Sequence, residues 1–373
     1  MNPIYLDYNA TTPVDSDVLE AMMPCLREHF GNPSSTHLFG RAAHEVIDRA
    51  RSQVAATLGA RDAEIVFTSG GTEASNHAIK GALFPFRGHV ITSAVEHPAT
   101  LKPCEYLRRL GCEVTLVPVD GTGMVNPDDV RRAITPATRL ISIMHANNEV
   151  GTIQPIAALS RIARERGIVM HTDAAQSLGK IPVNVEELGV DLLSVAGHKV
   201  YAPKGVGCLY VRAGVTLEPF MHGAGHEGGR RAGTENTPYI MGLGKACEIA
   251  QANLPQAGVR LRQLRDRLHE RLKAALGERV QLNGHAEQRL PNTLNVNFVG
   301  HVGAELLQRC PSIAASTGSA CHEGHVRLSP VLAAMQVAPE IGKGAIRLSV
   351  GRYTTEAEVD EAADILVRSA AAR

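Results

Sequence analysis

The chain holds 373 residues and 39.8 kDa, more than twice an ordinary domain of roughly 100–200 residues, so two lobes are expected. Hydrophobic residues make up 44% and charged residues 20%, an ordinary globular composition with enough apolar mass for a large core. Thirty-eight Lys and Arg balance thirty-eight Asp and Glu, which argues against a protein held to nucleic acid or an acidic membrane by net positive charge. No run approaches the ~18 apolar residues of a membrane span, and residues 1–7 carry neither the basic nor the apolar region of a secretory signal. Seven cysteines, at 25, 104, 112, 208, 247, 310 and 321, are odd in number and unpatterned. They read as reduced thiols, so the expected location is the cytoplasm.

From about residue 64, short apolar runs alternate with amphipathic segments. Runs at 64–67, 89–92, 113–117, 140–144, 168–171, 191–195 and 207–211 predict strands. Between them, 155–166 places Ile156, Leu159, Ile162 and Ala163 on one helical face. The alternation predicts βαβ units, an α/β fold with a mostly parallel central sheet and helices on both faces. Ligands in such sheets sit beyond the carboxyl ends of the strands, so residues just after each strand are the candidates for chemistry. A second region is predicted from Leu254 and Pro255. Its helix at 259–276 stripes Leu261, Leu264, Leu268, Leu272 and Leu276, and strands at 293–299 and 346–350 precede a final helix from Thr355. Six Lys and Arg in the first of these helices are interleaved with Asp266 and Glu270, without aromatics, which predicts a solvated outer face. The expected division is a large lobe of residues 16–254 and a smaller α+β lobe of 1–15 with 255–373.

Gly223, Gly225 and Gly228 match the dinucleotide pattern GxGxxG, but no apolar helix can open at the residues that follow. The stretch Phe67 to Glu73 is more informative. A strand ends, Gly70 and Gly71 permit close backbone approach, and a helix starts near Thr72. Free N–H groups at that start, with hydroxyls beside them, suit a phosphate, although capping of a plain turn uses the same residues. Asp173 ends one predicted strand and Lys199 follows another. A buried salt bridge is one reading. Combined with a phosphate cradle, they instead suggest pyridoxal phosphate (PLP), which needs a lysine for its Schiff base and a carboxylate opposite its ring nitrogen. His97 and Asn148 also follow strands, so five strand ends converge on one cofactor.

These segments resemble the cysteine desulfurases and the closely related selenocysteine lyases, in the class V branch of fold-type I PLP enzymes. The resemblance spans essentially the whole chain. It is carried by Tyr5 to Pro13, Gly31 to Ser35, Thr68 to Glu73, His171 to Gln176, Gly197 to Lys199, Arg231 to Asn236, Gly318 to Cys321 and Ile346 to Arg352. It implies that Lys199 binds PLP covalently, His97 stacks on the ring, Asp173 pairs with the ring nitrogen, and Asn148 and Gln176 reach the ring hydroxyl. Thr72, the Gly71 backbone and His198 would hold the phosphate, with Thr234 contributed by the other subunit of a homodimer. Arg347 would take the substrate carboxylate, and Cys321 would be the acceptor thiol on a mobile loop. Two positions depart from the family pattern. Ala196 stands where many desulfurases have Ser, and His322 where many have Thr. Cys321, His322 and His325 have metal-ligand spacing, but a loop that carries sulfur makes a poor cage, so no metal is expected.

The implied activity converts L-cysteine to L-alanine and leaves a persulfide on Cys321. The alternatives are a selenocysteine lyase acting on L-selenocysteine and a class V aminotransferase, which has no use for Cys321. A non-catalytic docking scaffold is disfavoured because both Lys199 and Cys321 are present. The implied partner is a sulfur acceptor, such as an iron–sulfur scaffold or a tRNA- or DNA-thiolation enzyme, with no membrane and no direct nucleic acid.

Overall fold

The computed structural model describes residues 3–317, 319–322 and 325–372, and at 319–322 and 325–327 the backbone alone. The predicted apolar runs form one sheet of seven strands: β1 (Ile65–Thr68), β2 (His89–Ser93), β3 (Glu113–Val117), β4 (Thr138–Ser142), β5 (Val169–Asp173), β6 (Leu192–Ala196) and β7 (Gly207–Val211). Their order across the sheet is β1-β7-β6-β5-β4-β2-β3. All neighbours from β6 through β3 run parallel, and β7 alone opposes both of its neighbours. The connection 197–206 is too short for a crossover, so the chain turns straight back beside β6. Gly207 makes that return possible. A Cβ there would lie 2.4 Å from the Val195 carbonyl oxygen and 2.8 Å from Gly70.

The longer helices are α1 (Ser16–Arg27), α2 (Leu38–Leu58), α3 (Gly71–Ala82), α4 (Pro98–Arg109), α5 (Ile156–Glu165), α6 (Thr237–Leu276) and α7 (Glu356–Ala371). Ile47 and Val54 of α2 and Leu243 and Cys247 of α6 pack with Ile91, Ile141, Met170 and Leu193 of the sheet in the larger apolar core. A second core joins the leucine stripe of α6 to Leu294, Val296, Phe298, Ile346 and Leu348, closed by Val359 and Leu366 of α7. Its sheet comprises β8 (Val280–Leu282), β9 (Thr293–Phe298), β10 (Ser316–Thr317) and β11 (Ala345–Ser349), antiparallel in the order β8-β9-β11-β10. Ile4 and Leu6 belong to this second core although they begin the chain.

Three expectations change. The helix predicted from Val259 begins at Thr237 and runs through Pro255 as one 40-residue element. Pro255 stands on an exposed stretch, where water can serve the carbonyl that loses its N–H partner. The arginines of the same helix are not simply solvated. Arg267 pairs with Asp360 at 2.7 Å and Glu356 at 3.0 Å, and Arg271 with Asp364 at 2.8 Å, tying α6 to α7. Val331, Leu332 and Met335, sequence neighbours of the smaller sheet, pack in the larger core.

Candidate active site

The carboxyl ends of β1, β2, β4, β5 and β6 open on a cavity of about 400 Å³. Gly71, Thr72, His97, Asn148, Asp173, Gln176, His198, Lys199 and Arg347 all line it. One end is the start of α3, where Gly70 at φ 149° provides no side-chain cap and the first N–H groups are left for a ligand. Ala196 closes against this end: a Cβ on Gly71 would stand 3.1 Å from the Ala196 methyl. His198 shares a hydrogen bond of 3.1 Å with the Thr11 hydroxyl through Nδ1. Burial and the cations Lys199 and Lys204 hold its pKa down to about 4.

Lys199 and Asp173 make no ion pair with each other. The Lys199 amine instead donates to the main-chain carbonyls of Asn9 at 2.6 Å and Ala10 at 2.7 Å. Burial first, then the nearby Arg347, push its pKa down to about 8. Asp173 is buried at the end of β5, and its Oδ1 accepts from the Ala175 N–H at 2.9 Å. Burial raises its pKa, against that N–H and the charges of His97 and Lys199. His97 caps α4, with Nδ1 accepting from the Ala99 N–H at 3.1 Å. The neutral ring therefore carries its proton on Nε2. Burial lowers its pKa, with Asp173 acting the other way.

Arg347, on β11, is fixed by two partners: Nη2 donates to Asp7 Oδ1 at 2.7 Å and Nη1 to the Asn148 carbonyl at 3.0 Å. Nε is buried without a partner among the described residues, and one N–H on each Nη remains, so the fork can still grip a carboxylate. Asp7 Oδ1 also accepts from Ser316 Oγ at 2.9 Å, which joins Arg347 to the strand β10.

Thr234 does not line this cavity. It is exposed beyond the hairpin Gly225–His226 and Arg231–Ala232. Two ion pairs pin that hairpin to the large core, Arg51–Glu227 at 2.8 Å and Arg231–Glu73 at 2.9 Å. The backbone of Cys321 lies in the strand Ser319–His322, paired with His325–Leu328; the side chains of Cys321, His322 and His325 lie outside the described residues. The other six thiols are all buried and free. Those of Cys104 and Cys247 are pushed up to about 12, chiefly by burial, which makes them poor nucleophiles.

Sequence reasoning gave no individual role to Asp7, Asn9, Glu96 or Lys180. Asn9 is the hub: its carbonyl accepts from Lys199 and from Gln176 Nε2 at 2.9 Å, and its amide donates to Thr293 Oγ1 at 2.8 Å. Their only signal was membership of segments that carry no strand–helix pattern of their own, or a charge placed among buried residues.

Comparison with known proteins accords with this geometry. Residues 4–362 match the model of the family described as aminotransferase class-V. The chain is 49% identical over 370 residues to "Cysteine desulfurase IscS" of Dictyoglomus turgidum, covering 98% of this chain and 94% of that protein. It is 49% identical over 368 residues to the protein of the same name from Methanosarcina thermophila, covering 97% and 91%. A solved NifS-like protein superposes with a TM-score of 0.92 at 40% identity, covering 98% of both chains. The chain belongs to the class V aminotransferase family. Its fold is the fold-type I arrangement of PLP enzymes, and the cofactor is pyridoxal 5'-phosphate. The class V site fits that group on four local features: an uncapped helix start for the phosphate, a buried carboxylate for the ring nitrogen, a ring at His97, and a lysine amine that pairs with no carboxylate among the described residues.

Proposed function

We propose that the protein is a PLP-dependent cysteine desulfurase in which Lys199, Asp173, His97 and Arg347 act in one cavity and Cys321 receives the sulfur. The observation that carries this reading is the meeting of Lys199, Asp173, the uncapped start of α3 and Arg347 around the same 400 Å³. The cofactor, held by Lys199, Asp173, Gln176, Asn148, Thr72, Gly71 and His198, supplies an electron sink for the bond changes at the substrate Cα. Arg347 orients L-cysteine by its carboxylate, with Asp7 and the Asn148 carbonyl fixing the guanidinium plane. Lys199, with a pKa near 8, is in part unprotonated at neutral pH and is placed to accept and return the Cα proton. His97 is the proton carrier between the substrate thiol and Cys321: its ring takes up a proton at Nδ1, letting go of the Ala99 N–H, and gives up the one on Nε2. The Cys321 thiolate attacks the substrate sulfur, the carbon–sulfur bond breaks, and the sulfur stays on Cys321 as a persulfide while the carbon skeleton leaves, protonated, as alanine.

The working unit is a homodimer in which Thr234 of each chain completes the phosphate site of the other. Two observations support this. Thr234 is exposed and away from its own cavity, and an apolar surface lies beside its hairpin. Phe30 is 70% and Leu38 69% exposed, the rings of Phe30 and Phe39 stack at 5.4 Å, and Ser34 reaches His226 at 3.4 Å. The persulfide passes to a sulfur-acceptor protein in the cytoplasm, an iron–sulfur scaffold or a tRNA- or DNA-thiolation enzyme.

The test is Cys321→Ala. The variant should bind L-cysteine, seen as a change in cofactor absorbance, and release almost no alanine from it. With L-selenocysteine it should keep most of its turnover, because a selenol is ionised at neutral pH and leaves without a protein thiol. Alanine release from cysteine at the wild-type rate would remove Cys321 from the mechanism. A wild-type protein active on selenocysteine alone would make it a lyase.

A further inference from the structure

Lys180 has no part in the reaction as set out above, yet the fold buries its amine among site residues. It follows β5 in the turn after Gln176, and its side chain is 7% exposed. Among the described residues no carboxylate pairs with it. Its Nζ donates to Gln176 Oε1 at 2.9 Å and reaches Asn9 Oδ1 at 3.4 Å. The charged groups bearing on it are Lys199, from the turn after β6, and Arg347, from β11; both are cations and both add to its burial in depressing its pKa well below the ordinary value. A buried ammonium without a counter-charge is costly, and an apolar side chain of similar length would pack there without that cost.

What Lys180 controls is the polarity of one amide. Gln176 Nε2 donates to the Asn9 carbonyl at 2.9 Å, and Gln176 Oε1 accepts from Lys180. Turning the amide over would set its oxygen against the Asn9 carbonyl, a repulsive contact, and would take from the lysine amine the acceptor it now holds at 2.9 Å. The remaining N–H on Nε2 is thus the function Gln176 can present to the cavity it lines. A second cavity of about 440 Å³, lined by Lys180, lies on the other side, and Lys199 borders both. The Lys180–Gln176 hydrogen bond therefore sits in the wall between the two.

We propose that Lys180 is a positioning residue that locks the Gln176 amide with an N–H toward the cofactor's ring oxygen, and so favours the ionised form of that oxygen. The inference rests on the assignment of Gln176 to the ring oxygen made above. The experiment compares Lys180→Met, Gln176→Leu and the double variant with wild type. Three quantities are measured: affinity of the cofactor-free protein for pyridoxal phosphate, the pH midpoint of the bound cofactor's visible absorbance, and thermal stability of the cofactor-free protein. Lys180→Met should bind the cofactor about tenfold more weakly, on the order of one lost hydrogen bond. Its absorbance midpoint should rise by roughly one pH unit, because a donor to the oxygen is loosened. Its thermal stability should be unchanged or higher. In the double variant, Lys180→Met should add nothing to the affinity loss of Gln176→Leu. Additive losses, or wild-type affinity and midpoint in Lys180→Met beside a damaged Gln176→Leu, would overturn the proposal alone. Lower thermal stability or failure to fold in Lys180→Met would make the lysine structural and overturn it too. If Gln176→Leu itself changes neither quantity, the assignment of Gln176 fails first.

Discussion

Glu96, one residue before His97, is a carboxyl group sealed from water. Its Oε1 accepts from Ser93 Oγ at 2.6 Å and its two oxygens from the Met144 N–H at 2.9 and 3.1 Å. Burial outweighs those donors and raises its pKa from 4.5 to about 8. The folded protein therefore holds a proton that the unfolded chain releases above about pH 4.5. Stability from this group is complete below that pH and is lost as pH climbs toward 8, at about 1.4 kcal/mol per pH unit for one full proton. Glu96→Gln can keep both hydrogen bonds and has no proton to release. Denaturant titrations should show its stability advantage over wild type growing from pH 5 to pH 8 and then levelling, whereas a constant difference would mean that Glu96 is ionised in the folded state. At this scale the sequence was legible where a residue's place depends on its own strand: Asp173 ends a strand, His97, Asn148 and Lys199 follow strands, and all four line the cavity. Glu96 and Lys180 were not legible, because their roles come from partners on other elements, such as Met144 and Asn9.

Among the elements, strands were read more closely than their directions or the helix limits. Alternation of apolar runs located β1 to β7, but no pattern within β7 signals its reversal, which follows from the short 197–206 connection. Pro255 misled the helix reading because proline commonly ends a helix, and tertiary packing overrides that preference here. Leu243 and Cys247 before it and Leu261 and Leu264 after it are held by two different cores. If α6 is continuous through an exposed proline, Pro255→Ala should restore a helical N–H and stabilise the protein by about 1–3 kcal/mol in equilibrium denaturation. A loss of stability would show instead that the helix depends on a bend at this position. β10 has a different task. Ser316 faces Arg347 across the β10–β11 pair and shares Asp7 with it, so the segment leading to Cys321 is anchored on the residue proposed to orient the substrate.

For the whole molecule, the proposed dimer makes a prediction that needs no interface structure. A Lys199→Ala chain cannot hold the cofactor covalently, and a Thr234→Ala chain should weaken the phosphate site of its partner. Mixing the two under conditions that exchange subunits should create dimers in which the intact Lys199 receives an intact Thr234 from across the interface. Cofactor binding by the mixture should then exceed the average of the two parent variants, measured by absorbance at limiting pyridoxal phosphate. A value equal to that average would place Thr234 in its own subunit's site or outside any site. The long-range pairings carry a consequence of another kind. The Asn9 N–H donates to Ser349 Oγ, and Asp7 grips Arg347, each contact joining residues 340 apart in the chain. A ribosome releases the carbonyls that receive Lys199 well before the arginine of the same cavity, which lies 340 residues after Asp7. A growing chain can thus fold the main sheet while its substrate pocket is still open, and the pocket is completed only after the last strand of the smaller sheet has left the exit tunnel.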